Sequence, residues 1–236
     1  MLTDELLNYV FDGQPHLLSQ SMATWLASSR RFTAFVANYR DKIRKKLRAT
    51  QDQESLLDLR LEFETAYLLL QERSLSLVYE PEQCGQVRCP DFAVTFTTSL
   101  TFMLEVRRLR ADQKSTVAEA DERLADTICS KLGQLLPQCS NVLLVGVEAL
   151  HLTDSDLRTT MLRIRQRAER NDSTFLQRHR FRDRADFFRH YQRLSEILVR
   201  GIPLQAGEPV LIWINPQAKY PLPTRVRTVL SRSHTR

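Results

Sequence analysis

Two acidic residues, Asp91 and Glu105, are spaced so that they face each other in a predicted hairpin. Each belongs to a run in which apolar residues alternate, 89–96 and 100–107, and the polar residues 97–99 lie between the runs. Two alternating runs around a short polar segment predict a pair of antiparallel strands. With a three-residue loop, the two acids lie directly opposite each other.

Facing carboxylates in a hairpin need a counter-charge. The Cβ atoms of directly opposed residues lie roughly 5 Å apart, and like charges at that separation destabilise the pair. A divalent cation held between the carboxylates removes the repulsion, and Mg²⁺ prefers oxygen ligands of this kind. Arg107 belongs to the same face of the hairpin as Glu105. The spacing therefore predicts a site for a divalent cation with a guanidinium beside it.

The same register divides the hairpin into two faces. The face opposite the acids is wholly apolar, which predicts that it packs into the core. The acidic face also carries threonine, alanine and methionine pairs. The predicted apolar pairs are Phe92–Leu104, Val94–Phe102 and Phe96–Leu100, and the predicted pairs beside the acids are Ala93–Met103 and Thr95–Thr101.

At these residues the chain resembles the PD-(D/E)xK phosphodiesterase superfamily, which includes restriction endonuclease-like folds. A proline precedes Asp91, as in the PD element, and Glu105-Val106-Arg107 lies where the E-x-K element is expected. The sequence departs from the family at Arg107, which stands in the place of the motif lysine. The resemblance covers roughly residues 55–150.

The resemblance implies a metal-dependent nuclease that acts on DNA or, as the second choice, on RNA. The metal ligands would be the carboxylates of Asp91 and Glu105 and the main-chain carbonyl of Val106. Arg107 would stabilise the charge that builds on the phosphorane, because its fork of donors matches phosphate oxygens. It would not serve as the base, because a guanidinium stays protonated. The alternative is an inactive nuclease-like scaffold, an interaction module for nucleic acid or protein in which Arg107 neutralises both acids and no metal binds.

The family also has an acidic residue on a preceding helix, and a lysine from elsewhere sometimes replaces the motif lysine. Glu62 is chosen over Glu64 for the acidic position, because Glu62 borders the apolar stripe of its predicted helix. Lys131, on the helix that follows the hairpin, and Lys114 are the candidates for the replacement lysine. Lys131 is included in the predicted catalytic set.

The order of the predicted elements is typical of an α/β protein with a restriction endonuclease-like αβββαβ core. We divide the chain into a helical N-terminal extension (1–52), the nuclease-like core (53–150), and arginine-rich helices with C-terminal strands that complete the core (151–236). Periodicity predicts helices over 4–11, 21–48, 54–72 and 116–136, a strand over 75–79, the hairpin over 88–107, and buried strands over 141–147 and 209–216.

The C-terminal third is less clearly patterned. Residues 154–200 are helix-prone with a break at 171–173, whereas 194–199 fits either a strand paired with the last predicted strand or the end of a helix. The tail after residue 220 is expected to be loosely ordered at its end.

The resemblance implies a nucleic-acid partner, DNA before RNA, and the distribution of charge is compatible with it but does not establish it alone. The net charge is +6, and residues 158–200 contain twelve arginines, no lysine and five acids. A surface rich in arginine is typical of phosphate-backbone binding, and a solvated helix face is the alternative interpretation. The resemblance leaves a homodimer open, because many enzymes of this kind dimerise to cut both strands.

Other classes of protein are disfavoured. No apolar run reaches the 18 residues of a membrane span, and the first residues lack the basic flank of a signal peptide. The four cysteines form no CxxC pair, which predicts reduced thiols and a cytoplasmic location. The five histidines lack HExxH spacing, and neither GxSxG nor a glycine-rich phosphate loop is present.

Overall fold

A six-stranded mixed sheet organises the chain in the computed structural model, which describes residues 3–81, 89–109, 117–148, 152–203 and 210–234. The strands lie side by side in chain order. β1 to β3 are antiparallel, β3 to β5 are parallel, and β5 and β6 are antiparallel. They are β1 (Leu75–Tyr79), β2 (Phe92–Phe96), β3 (Leu100–Leu109), β4 (Ser140–Glu148), β5 (Leu194–Ile202) and β6 (Leu211–Ile214).

Ten helices in the described ranges cover the two faces of the sheet. They are α1 (Thr3–Val10), α2 (Ser19–Ser28), α3 (Arg30–Asn38), α4 (Arg40–Ala49), α5 (Gln53–Gln71), α6 (Val117–Leu132), α7 (Asp154–Glu169), α8 (Ser173–Arg178), α9 (Arg184–Tyr191) and α10 (Thr224–Ser233). One apolar cluster joins α1–α5 and α10 to one face of the sheet, and a second joins α6–α9 to the other face. The chain is therefore a mixed α/β protein.

The predicted hairpin is confirmed pair by pair. β2 and β3 are antiparallel, and all five predicted pairs from Phe92–Leu104 to Phe96–Leu100 are present. Phe92, Val94 and Phe102 are fully buried against the first cluster. This result follows from the period of two, because a shift of one residue would turn the apolar face towards solvent.

The two interior parallel strands have different sequence signals. β4 is buried on both faces between β3 and β5, as its continuous apolar run predicts. The segment 194–199, which periodicity left undecided, belongs to β5 and pairs with β6. The last strand was expected to be buried, but β6 lies at the edge of the sheet and its Ile214 is 46% exposed.

The helix predicted over 21–48 is wrong as a single element. Three helices, α2, α3 and α4, replace it. Between α2 and α3, Ser29 adopts an extended conformation and its side chain accepts a hydrogen bond from the backbone N–H of Phe32. A serine at such a position caps a new helix. Between α3 and α4 the helix is interrupted at Tyr39, which makes no side-chain capping hydrogen bond. The apolar spacing continues across both breaks, since all three helices pack on the same core, and it therefore does not reveal them.

The tail after residue 220 contains a helix, and its last two residues, on which the expectation of a loosely ordered end falls, lie outside the described residues. The chain after residue 220 forms α10, and Val226 and Leu230 are buried in the first cluster. Arg227 on α10 donates to Glu196 of β5, with 2.7 Å between Nε and Oε1. Proline and arginine content indicated disorder here, but an apolar pair spaced by one helical turn anchors the segment.

Burial of His234 predicts a loss of stability in acid. The ring is fully buried near Arg200, and neither nitrogen has a hydrogen-bond partner within the described ranges. Burial, with Arg200 adding to it, lowers the pKa of His234 to about 3. The unfolded chain takes up a proton below its ordinary pKa of 6.5 while the folded protein does not, so this contribution to stability is lost as pH falls from about 6.5 towards 3.

We expect the variant His234→Leu to remove this acid sensitivity. Between pH 7 and pH 5 the free energy of unfolding of the wild type should fall by about 2 kcal/mol more than that of the variant. Urea denaturation of both proteins at the two pH values measures the difference. Equal losses in the two proteins would show that His234 takes up its proton over the same pH range in the folded and unfolded states.

Candidate active site

Asp91 is held at the start of the hairpin by a main-chain contact. It immediately precedes β2, and its Oδ2 accepts a hydrogen bond from the backbone N–H of Val106 at 2.7 Å. Only 8% of the residue is exposed. The contact fixes the carboxylate beside Glu105, as the hairpin register predicts.

Glu105 meets two cations. It lies in the middle of β3, on the face covered by α6, and is 6% exposed. Its Oε1 is 2.5 Å from Nη2 of Arg107 and 3.1 Å from Nζ of Lys131, which comes from the last turn of α6. The structure therefore brings the predicted residues Asp91, Glu105, Val106, Arg107 and Lys131 into one site.

Glu62 approaches the same site from α5, on the opposite face of the sheet. It is 6% exposed, and both carboxylate oxygens accept from Nζ of Lys46, at 2.7 and 2.9 Å. The same ammonium also bonds Oε1 of Glu80 at 2.8 Å. The alternative Glu64 points elsewhere and pairs with Arg200 at 2.7 Å. Lys114 lies outside the described residues.

Lys46 is the site residue that the sequence analysis missed. It belongs to the basic helix α4. The basic residues of this helix are explained equally well by a favourable interaction with the helix dipole or by exposure to solvent. The one available signal was that Glu62 borders the apolar stripe of its helix and would need a cation when buried. Periodicity does not say which of several basic residues supplies that cation. The contact joins residues 16 positions apart in sequence.

The electrostatics of the site favour an added positive charge. Burial, together with the nearby carboxylates of Glu62 and Glu105, raises the pKa of Asp91 well above its usual range, although Arg107 and the Val106 N–H oppose the shift. Burial also raises the pKa of Glu62 against the pull of Lys46. Asp91 therefore holds a proton more tightly than an exposed aspartate does, and a cation beside it would relieve the excess of negative charge.

The pKa of Lys131 is shifted in the opposite direction, downwards. Burial lowers the pKa of its ammonium, and the positive charge of Arg107 adds to this, while Glu105 acts in the other direction. Its Nζ also donates to Oε1 of Gln134 at 3.0 Å. A lysine whose pKa is lowered holds its proton less tightly, which is the property of a lysine that exchanges protons.

The donor set fits Mg²⁺ or Mn²⁺ with a small number of protein ligands. Two carboxylates and a carbonyl are the hard oxygen donors that Mg²⁺ prefers, and this ion keeps several waters. The raised pKa of Asp91 records an excess of negative charge that such an ion would relieve. Within the described residues no cluster of three or more His, Cys, Asp or Glu has the geometry of a metal site, so any ion would depend on Asp91, Glu105 and the Val106 carbonyl.

An open groove borders the acid pair. A cavity of about 560 Å³ runs over the face of the hairpin that carries Ala93, Thr101 and Met103. Ala93 and Met103 are each two residues from an acid of the pair, on the same face of their strands. Tyr39 and Leu136 also line the cavity. Its volume lies in the roughly 300–1,000 Å³ range of ligand sites.

Most of the arginine-rich segment is neutralised within the protein. Of the twelve arginines in residues 158–200, eight have a carboxylate within the 4.0 Å limit of an ion pair, several of them with acids of α6. The eight are Arg158, Arg163, Arg165, Arg167, Arg178, Arg182, Arg189 and Arg200. The prediction that this segment binds phosphates therefore depends mainly on the four arginines that form no ion pair within the described ranges.

Comparisons of the chain with protein-family models, with curated proteins and with solved structures found no match. Among the helices in the described ranges, none has the length and apolar character needed to span a membrane.

Proposed function

We propose that the protein is a metal-dependent phosphodiesterase that cleaves DNA or, as the second choice, RNA. The observation that carries the proposal is the convergence of Asp91, Glu105, Arg107 and Lys131 on one hairpin beside an open groove. The order α5, three antiparallel strands, α6 and parallel β4 supports a restriction endonuclease-like core.

In this proposal the protein groups have separate roles. Asp91, Glu105 and the Val106 carbonyl would hold Mg²⁺ or Mn²⁺, which when bound supplies an acidified water and neutralises phosphate charge. Arg107, whose side chain is 36% exposed, reaches non-bridging phosphate oxygens with its fork of donors. Lys131 holds or releases a proton at Nζ beside Glu105, which is the task that Arg107 is unable to perform.

Lys131 is therefore expected to contribute strongly to the rate. Replacing one preorganised charged donor in an active site typically lowers kcat by about 10²–10³-fold, and we expect that loss for Lys131→Met. The assay follows cleavage of a fluorescently labelled DNA under single-turnover conditions. Lys45→Met is the matched control, because Lys45 is an exposed lysine of α4 and its removal should leave kcat unchanged. Full activity in Lys131→Met would remove Lys131 from the mechanism.

Calorimetric titration of Mg²⁺ and Mn²⁺ tests the metal part of the proposal. We expect saturable binding to the wild type and none to Asp91→Asn, because the variant loses one of two carboxylate ligands. Asp41→Asn, at an exposed position of α4, should bind like the wild type. Absence of saturable binding in the wild type would contradict the metal site.

The contacts of Glu105 favour one competing function, an inactive scaffold that binds nucleic acid or protein. Both Arg107 and Lys131 already neutralise this carboxylate. On that alternative, Arg107→Ala lowers the melting temperature sharply because facing carboxylates lose their counter-charge, and added Mg²⁺ does not restore it. On the proposed function, Mg²⁺ restores it by binding to the folded state.

The cysteines support a cytoplasmic location for this activity. Cys89, Cys129 and Cys139 are free thiols. Unpaired cysteines are the rule in compartments that keep thiols reduced.

A further inference from the structure

We infer that a basic cavity beside the turn from α6 to β4 is a phosphate-binding site for the nucleic-acid strand that reaches the acid pair. The cavity has a volume of about 230 Å³, and the cationic residues in its lining are Arg189, Arg193 and Lys219. Gln138, Gln192 and Tyr220 add polar groups to the wall. The assignment of the phosphate to a nucleic-acid strand depends on the proposed function.

The charges of this cavity are not matched by acids, unlike those of most of the arginine-rich segment. No carboxylate is among its described lining residues. Arg193 donates from Nη1 to the main-chain carbonyl of Leu135 at 3.1 Å, and neither Arg193 nor Lys219 forms an ion pair in the parts of the chain that are described. Arg189 alone shares a carboxylate, that of Asp186, at 3.2 Å. An anion is therefore the ligand that completes the site.

The size of the cavity favours a small anion over a whole cofactor. Sites for complete small molecules are usually about 300–1,000 Å³, and this cavity is smaller. The donors are also of the types that contact phosphate oxygens, namely arginine, lysine, glutamine and tyrosine side chains. A single phosphate group with part of its sugar meets both conditions.

The residues that follow Lys131 link the acid pair to the basic cavity along the chain. Lys131 contacts Glu105, and the carbonyl that Arg193 binds belongs to Leu135, four residues further along the chain. Of the next two residues, Leu136 lines the groove over the hairpin and Pro137 lines the basic cavity. Consecutive Cα atoms are 3.8 Å apart, so the walls of the two cavities include adjacent residues of the chain. A strand in the groove would place a phosphate a few nucleotides from the acid pair in the basic cavity.

Salt dependence of DNA binding measures the predicted contact. We would follow the anisotropy of a fluorescent single-stranded oligonucleotide, with EDTA present so that no cleavage occurs, across a range of KCl concentrations. Each neutralised phosphate contributes about 0.7 to the slope of log K against log salt for a single strand. We expect Lys219→Ala to reduce the magnitude of the slope by about that amount. Arg30→Ala, which removes an exposed cation on α3, should leave the slope unchanged.

Inorganic phosphate supplies a second readout that does not require DNA. At constant ionic strength, phosphate should raise the melting temperature of the wild type and of Arg30→Ala, and less so that of Lys219→Ala. A loss in both readouts supports the strand site. If Lys219→Ala weakens the stabilisation by inorganic phosphate but leaves DNA binding and its salt slope unaltered, the cavity binds free phosphate and the strand assignment is overturned. If Lys219→Ala changes neither readout, the phosphate site itself is overturned.

Failure of the proposed function would look different. If the wild type did not bind DNA at all, the proposed nuclease activity would be contradicted together with the strand assignment. Phosphate stabilisation that depended on Lys219 would then show an anion site of another purpose. If DNA bound and was cleaved but the slope did not depend on Lys219, the nuclease would stand and only this inference would fall.

Discussion

Asp91→Asn is expected to make the protein more stable at pH 7 while removing its activity. Burial and the charges of Glu62 and Glu105 raise the pKa of Asp91, so the folded state carries an electrostatic penalty whenever Asp91 is ionised. Asparagine removes the charge and its side-chain oxygen still accepts from the Val106 N–H. Each unit of raised pKa corresponds to about 1.4 kcal/mol, and we expect an increase in the free energy of unfolding of about 1 kcal/mol or more.

The pH dependence of this difference has a defined sign. The folded protein keeps a proton on Asp91 at pH values where the unfolded chain has lost it, so the wild type loses stability as pH rises from about 3.8 through the raised pKa. The two proteins should be equally stable in acid apart from the substitution itself, and should diverge as pH increases. Denaturation in urea without divalent cations, from pH 4 to pH 8, measures this.

A surface carboxylate provides the control for this prediction. Asp41→Asn removes an acid from the first turn of α4, where negative charge is slightly favourable, and should therefore be neutral or slightly destabilising. Asp91→Asn would then be the stabilising member of the pair. If Asp91→Asn were destabilising at pH 7 instead, neighbouring cations would already neutralise the Asp91 carboxylate. The site would then lack the excess negative charge that binds a metal ion.

Glu64→Ala is expected to cause the largest loss of stability, about 3–5 kcal/mol, with no direct role in the chemistry. The side chain of Arg200, on β5, is 1% exposed, and its Nη2 lies 2.7 Å from a carboxylate oxygen of Glu64 on α5. Removal of one partner of a buried ion pair leaves a charge without compensation in the interior. Arg200 is also the charge that lies near the buried ring of His234.

An exposed ion pair provides the comparison. Arg158 and Asp154 on α7 are 2.6 Å apart, but their side chains are 70% and 52% exposed. Arg158→Ala should change the free energy of unfolding by less than about 1 kcal/mol, because solvent screens such pairs. Guanidinium denaturation of both variants gives the two values. Similar small effects in both would mean that solvent reaches Arg200.

The hairpin and its acids were predictable from the sequence because the information that specifies them is local. An alternation of period two and a three-residue loop determine which residues face each other, so the five pairs from Phe92–Leu104 to Phe96–Leu100 form as predicted. Asp91, just before β2, lies near enough to Glu105 for that carboxylate to raise its pKa. The strand β4 was predictable for a similar reason, since an apolar run of its length needs cover on both faces.

The remaining features depend on contacts that sequence spacing does not encode. The break between α2 and α3 follows from a serine cap inside an uninterrupted apolar pattern. The pairing of Lys46 with Glu62, and the position of β5 beside β4, join segments that only the folded chain brings together. Lys131 was chosen through the family resemblance, and its 3.1 Å contact with Glu105 agrees with that choice.

The most direct test of the central claim is a cleavage assay on the wild type and the double variant Asp91→Asn, Glu105→Gln. Labelled single-stranded and double-stranded DNA, and an RNA of the same sequence, would be incubated with each protein in Mn²⁺, in Mg²⁺ and in EDTA. We predict metal-dependent cleavage of at least one substrate by the wild type and none by the folded double variant. Equal cleavage by both proteins, or no cleavage by a wild type that binds the metal and the DNA, would contradict the account.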